Sequence, residues 1–347
     1  MNAVREISDK FTEEKLDPKL GQKRNEIIAN PGMRYDYSLI QITDEKIMGM
    51  ASDDAIYISK LPPDKSAYLT FHKSADKLGS SGVMPEYLGV SVHMPSGIEE
   101  DALSHFWNSL NMESKKFQVA ITGRNVSVSE ETKEPFVGGT TIMGTSMKAF
   151  HVTPRGAVGG DRILMTKTSS LEATTLLSHL FPEFIEEKIG EYNQKMAQKL
   201  FFKTSSLQEE QEALKFGLGK NGVTSMKAVR DRGVLGALEE YSRAGGFGME
   251  VDFDQIPVYD EVKEICELFE LDPYRTSSMG ALLLTLPEEV AEDFSKALIG
   301  NGIDVADIGK IDRESNLVKL NGYKEHEDSS NDGRSFYNLF SAFEGKA

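Results

Sequence analysis

Near its N-terminus the chain places Leu16, Leu20, Ile27 and Ile28 among charges at roughly helical spacing, and Asn30-Pro31-Gly32 punctuates the run. A surface helix over residues 15–30 is expected. Short runs rich in β-branched residues follow: YSLIQI, KIMGM, AIYI, AYLTFH, YLGVSVHM, FQVAIT, NVSVS and TTIMGT, separated by turn residues. Each reads as a strand. Only two helical patterns interrupt them, a weak one over 76–82 and a clearer one over 98–110. The first half is strand-dominated.

Turn residues then cluster at Thr153-Pro154-Arg155-Gly156 and Gly159-Gly160-Asp161, and beyond them longer helical patterns alternate with strands. RILMTK, MEVDF, ALLLTL and VADIGKI predict strands. Residues 171–180, 182–200, 208–214, 235–244, 259–269 and 288–298 predict helices. The expected class is α+β or α/β with two domains, 1–152 and 153–320, followed by a polar tail, 321–347, in which FYNLF could dock.

Composition narrows the function classes. At 347 residues the chain suits two cores, and 39% apolar with 27% charged residues marks a globular protein. Its single cysteine, Cys266, sits in a helical pattern and can form no internal disulfide, and no Cys/His spacing suggests zinc. No signal peptide pattern and no apolar run of about 18 residues is visible, so a cytoplasmic protein away from membranes is expected. A formal charge of −16 argues against nucleic acid as a partner, because phosphate backbones are held by basic surfaces. The six histidines, among them His72 and His326, form no triad-like spacing and are expected to pack or face solvent.

The second half carries a longer pattern. VGGDRILMTKTSS, SMKAVRDRGVLGALEEYSRAGGFGMEVDFDQIPVYDEVKEICELFELDP and TSSMGALLLTL, in that order, resemble the C-terminal domain of the aminoimidazole-ribonucleotide (AIR) synthase superfamily. The IPVYDEVKEIC and LDP stretches are most similar to its hydrogenase expression/formation maturation factors. In the first half, SDDAIYI and ADKLGSSGVMPEYLGVSVHMPSG resemble the family's Asp-Asp-Ala-Ala and Asn-Asp segments. The resemblance implies an AIR-synthase-like fold whose strand-rich first domain forms a dimeric barrel, hence a homodimer. It also implies ATP and Mg²⁺ as cofactors, with a small-molecule substrate phosphorylated on a carbonyl or amide oxygen.

Carried over residue by residue, the resemblance nominates Asp53, Asp54 and Asp76 as metal ligands. Asp53, Asp54, Asp76, Asn125, Asp231 and Gly236 are nominated around the nucleotide, with Lys73 or Arg124 neutralising charge during transfer. The residues themselves leave alternatives. Asp53 and Asp54 are neighbours on a strand and should point to opposite faces. Asp76 could instead be a helix N-terminal residue, and Asp231 could cap the helix over 235–244. Small-residue packing explains Thr276-Ser277-Ser278-Met279-Gly280 as well as a ligand would.

Several positions depart from the family. Ala75 stands for its Asn, Arg124-Asn125 stands where Gly-Asp is expected, and Asp231-Arg232-Gly233-Val234-Leu235-Gly236 loses a hydroxyl residue and a glycine. The maturation factors end in Pro-Arg-x-Cys, whose thiol carries the amide they modify; this chain ends Phe343-Glu344-Gly345-Lys346-Ala347. That chemistry on its own tail is not expected. Two readings follow: an ATP-dependent enzyme, or a dimeric non-catalytic homologue whose ATP site has eroded.

Overall fold

The computed structural model describes residues 9–323. The FYNLF motif, His326 and the C-terminal residues lie outside them. Strands β1 (Ile27–Ala29), β2 (Ser38–Gln41), β3 (Lys46–Ile56), β4 (Tyr87–Pro95), β5 (Ala120–Ser129) and β6 (Phe136–Met147) form a first sheet in the order β1-β2-β3-β6-β4-β5. Only β4 and β5 run parallel. A second sheet, β12-β9-β11-β7-β10-β8, is built from β7 (Arg162–Thr166), β8 (Ser225–Ala228), β9 (Gly248–Asp252), β10 (Leu282–Leu286), β11 (Val305–Asp312) and β12 (Val318–Asn321).

Helix α1 (Asp9–Phe11) opens the described chain and runs into short irregular turns over Thr12–Leu16 and Asp17–Lys19. The surface helix expected over 15–30 therefore does not form. Pro18 and Gly21 interrupt it, and Ile27 and Ile28 enter strand β1 instead. Helices α2 (Pro63–Gly79) and α3 (Glu100–Lys116) cover one face of the first sheet. The second sheet is covered on both faces. Val234, Leu238 and Tyr241 of α7 (Gly233–Gly245) pack on one side with Met165 and Leu283, while Phe294 and Leu298 of α9 (Glu288–Gly300) and Ala213 of α6 (Leu207–Phe216) pack on the other with Leu164 and Leu284.

AYLTFH, expected as a strand, lies in the middle of α2. Pro62 and Pro63 start this helix, and 13 of its 17 residues are buried, so no polar stripe discloses its period. It is buried from two sides. Ala67, Phe71, Ala75 and Leu78 face the first sheet, while Tyr68 and Leu69 join a core with α4 (Leu171–Leu180), α5 (Pro182–Lys199) and Ile265 of α8 (Asp260–Leu268). One helix thereby belongs to both cores.

Candidate functional site

Burial of α2 carries polar side chains into the interior, where they must find partners. Lys73, Asp76 and Lys77 lie on this helix, and β3 approaches it from the sheet. Along β3 the buried residues Ile47, Gly49 and Ala51 face α2, since a side chain at Gly49 would run into Leu78 and Val83. Alternation then puts Asp53 on the α2 side and Asp54 on the open face.

Asp53 receives two cations. Lys77 Nζ lies 3.0 Å from Asp53 Oδ2, and Arg230, from the loop after β8, pairs with the same oxygen. Arg230 also donates to the carbonyl of Lys73 at 2.9 Å, and Lys73 Nζ lies 3.6 Å from Asp231 Oδ1. A seam of alternating charge thus joins the two halves. Burial opposes ionisation of Asp53, but Arg230, Lys73 and Lys77 outweigh it and hold the carboxyl well below the usual range. Lys73 chiefly, with Arg230, lowers Asp231. Asp54 shifts upward through burial and the neighbouring Asp53 charge.

A second group lies deeper. Asp76, 1% exposed, sits near the C-terminal end of α2, so it is not an N-terminal capping residue. Its Oδ1 accepts from Ser205 at 2.8 Å, and its Oδ2 has no hydrogen-bond partner. Glu209 and Glu210 of α6 are fully buried beside it; Lys167 Nζ approaches Glu209 Oε1 at 2.5 Å and Ser206 donates to Glu210 Oε1 at 2.9 Å. Burial raises the pKa of all three carboxyls, and their mutual charge adds to the rise of Glu209 and Glu210. Lys167 further donates to the carbonyls of Lys203, Ser205 and Gly280, so its amine is spent on structure. Glu172, also fully buried, accepts from Ser277 and is raised by burial against the pull of Lys73.

The structure brings Asp53, Lys73 and Asp231 together, and leaves other nominated residues apart. Arg124 and Asn125 lie on edge strand β5, three strand spacings from β3, or about 14 Å across the sheet. There Asn125 donates to Ser91 at 3.1 Å, and both residues line a groove of about 520 Å³ with Trp107 of α3. At α7, Asp231 is not the capping residue; Arg232 occupies that position and makes no side-chain cap. Gly236 is covered by the Arg232 side chain, and the Leu235 N–H already donates to the Tyr274 carbonyl at 3.1 Å. This helix start is not an open phosphate cradle.

Asp53, Asp54 and Asp76 do not converge either. Among the described residues no three His, Cys, Asp or Glu side chains are grouped to hold a metal ion. Asp53 already carries two cations, Asp54 faces the far side of the sheet, and Asp76 is bound by Ser205. The donor set does not fit a shared Mg²⁺ ion. Cys266 is buried and its thiol is pushed up to about 12 by burial, which suits packing. His72 is buried between Glu113, 3.2 Å from Nε2, and Asp76, 3.9 Å from Nδ1, a grouping that sequence spacing does not disclose because Glu113 comes from α3.

Two helix-covered sheets joined through a shared buried helix make up a fold similar to that of AIR-synthase-related proteins. Residues 159–319 match the family model described as AIR synthase related protein, C-terminal domain. The chain is also similar to HypE proteins. It is 26% identical over 286 residues to the carbamoyl dehydratase HypE of Azotobacter vinelandii, covering 80% of this chain and 79% of that one. A hydrogenase maturation protein HypE solved in complex with ATP superposes with a TM-score of 0.60 at 19% identity, covering 82% of each chain. AaThiL complexed with AMPPCP and TMP superposes with a TM-score of 0.67 at 17% identity, covering 84% of this chain and 89% of that one. No helix among the described residues is long and apolar enough to cross a membrane.

Proposed function

We propose that this protein is an ATP-dependent enzyme of the HypE-like group that phosphorylates a carbonyl or amide oxygen of a small-molecule substrate. The observation that carries this reading is the seam itself: Arg230, Lys73 and Lys77, from both halves, gathered around Asp53 and Asp231. ATP supplies the phosphoryl group. In this chain Arg230 and the two lysines provide cationic charge for phosphate oxygens, as a guanidinium does for a bidentate anion. Asp53 and Asp231 hold these cations in place while the seam is closed. That solved relatives of the fold carry ATP or AMPPCP supports the reading.

A thermal-shift titration with ATP, with and without Mg²⁺, tests it, because a ligand of the folded state must stabilise that state. Stabilisation by ATP that Arg230→Gln weakens is expected. No shift at millimolar ATP overturns the enzyme reading. The second reading, a dimeric homologue without catalysis, is favoured by Asn125 in place of a carboxylate and by the closed start of α7, and it then stands.

Pairing of two copies through the first sheet is part of the same proposal. Met48, Met50 and Ser52 of β3 point away from α2, and Met143 of β6 pairs with Met50, so half-buried thioethers line the helix-free face. Such a face is suited to a second copy of this chain.

A further inference from the structure

Beside the seam, a second cavity of about 270 Å³ lies between the two halves, lined among others by Arg34, Tyr35, Asp36, Lys227, Glu240 and Arg243. Its inner wall is a closed charge group: Lys227 Nζ pairs with Asp36 and lies 3.0 Å from Glu240 Oε2. Its outer wall differs. Arg34 comes from the first half and Arg243 from α7, and both guanidinium groups reach one carboxylate, that of Glu13, at 3.2 and 3.7 Å.

Glu13 belongs to neither wall. It lies on the irregular N-terminal segment, which rests on the turn at Pro31–Met33, where a side chain at Gly32 would run into Leu20. This segment is held loosely by charge, since the side chains of Glu13, Arg34 and Arg243 are 36%, 44% and 35% exposed and solvent screens such pairs. Arg34 itself holds a left-handed backbone, φ 66°, which a non-glycine side chain disfavours. Its N–H closes the turn on the Pro31 carbonyl, and its guanidinium reaches Glu13 at the cavity mouth.

Charge gives the arrangement a direction. With the segment in place, Glu13, Asp17, Asp36 and Glu240 outnumber Arg34, Lys227 and Arg243 around the cavity; with it lifted, three cations face two carboxylates. We propose that Arg34 and Arg243 form a seat for the carboxylate or phosphate group of a small molecule, and that Glu13 occupies this seat when the ligand is absent. The side-chain carboxylate is then a stand-in for the ligand's own oxyanion, and ligand entry displaces the segment. Two guanidiniums, one from each half, would couple that entry to the relative position of the halves. The seat does not depend on the ATP chemistry proposed above, because Glu13, Arg34 and Arg243 are not among the residues of the Asp53–Arg230 seam.

The test uses the full chain and isothermal titration with inorganic phosphate and, separately, malonate. Glu13→Gln keeps the shape of the segment and removes the competing charge, so at least one probe should bind about five-fold more tightly than to the wild type. The probe with the larger gain identifies the seat as a phosphate or a carboxylate site. Adding Arg34→Gly, whose glycine suits the left-handed backbone and keeps the fold, should abolish the gain, and Arg243→Gln should do so independently. Equal affinities of wild type and Glu13→Gln for both probes, or a gain that survives loss of Arg34 or of Arg243, overturn the proposal.

Discussion

Arg230 closes on Asp53 across the boundary between the two halves, with side chains only 10% and 8% exposed. A buried pair of this kind gains little over apolar packing, but removing one partner leaves an uncompensated charge. The pair joins the two halves, Asp53 coming from β3 and Arg230 from the loop after β8. Lys77 also contacts Asp53, so loss of Arg230 leaves that carboxylate half-satisfied, whereas loss of Asp53 leaves two cations facing each other.

Arg230→Ala should destabilise the fold by about 3 kcal/mol, and Asp53→Ala by at least as much. Urea denaturation of the two variants and the double variant measures the coupling. The double variant should lose less than the sum, since it leaves neither charge alone. Additive losses would show that the pair does not act as a unit.

The carboxyls between α2 and α6 predict a pH dependence of opposite sign to ordinary acid denaturation. Glu210 faces Asp76 of α2, its neighbours Glu209 and Ser206, and Lys167 from the loop after β7; burial and then Asp76 raise its pKa well above the usual value. A carboxyl raised in the folded state holds its proton there while the unfolded chain releases it, so stability is fully present below about pH 4 and falls as pH rises through the folded-state value. Glu210→Gln mimics the protonated form. Its melting temperature should match the wild type near pH 4.5 and exceed it by about 3 °C at pH 8. A wild-type melting temperature that does not decline relative to this variant would contradict the assignment.

The helix-free face of the first sheet makes a plainer prediction. Met50→Glu places a charge opposite Met143 on a face turned away from α2, where a monomer tolerates it within about 0.5 kcal/mol. Sedimentation velocity should show the wild type as a dimer and this variant as a folded monomer. A wild type that sediments as a monomer at tens of micromolar would remove the paired-sheet proposal.

What the sequence discloses follows from where periodicity survives. α9 stands out because its apolar and polar positions are distinct: Ala291, Phe294 and Leu298 are buried between exposed charges. α2 is buried on two sides, so AYLTFH shows β-branched and aromatic content without a polar face and reads as a strand. The same double burial hides the site. Asp53 and Asp231 could be nominated from motif resemblance, but Arg230, Lys77, Glu172, Glu209 and Glu210 acquire significance only when elements distant in sequence meet, and no local spacing announces those meetings. Conversely, Arg124 and Asn125 occupy a motif position yet lie on the edge strand, because strand order is not written in strand sequence.

The tightest of these meetings is between Gly79 and Glu210. Gly79 is the last residue of α2, and a Cβ there would overlap Glu210 Oε2 and press on Leu207. Alanine is the better helix former by about 1 kcal/mol, so propensity alone makes Gly79→Ala stabilising. Overpacking in a closed interior opposes it by about 1–3 kcal/mol, and here the obstructing group is a buried carboxylate whose Oε2 has no hydrogen-bond partner. Gly79→Ala should therefore be destabilising by about 1–2 kcal/mol net. Shortening the partner decides whether that contact is the cause: in a Glu210→Ala background the methyl group finds room, and Gly79→Ala should become neutral or stabilising. Chemical denaturation of the four proteins measures a coupling of at least about 1 kcal/mol in favour of the double variant. Additivity would mean that α2 and α6 are not in contact through these two residues.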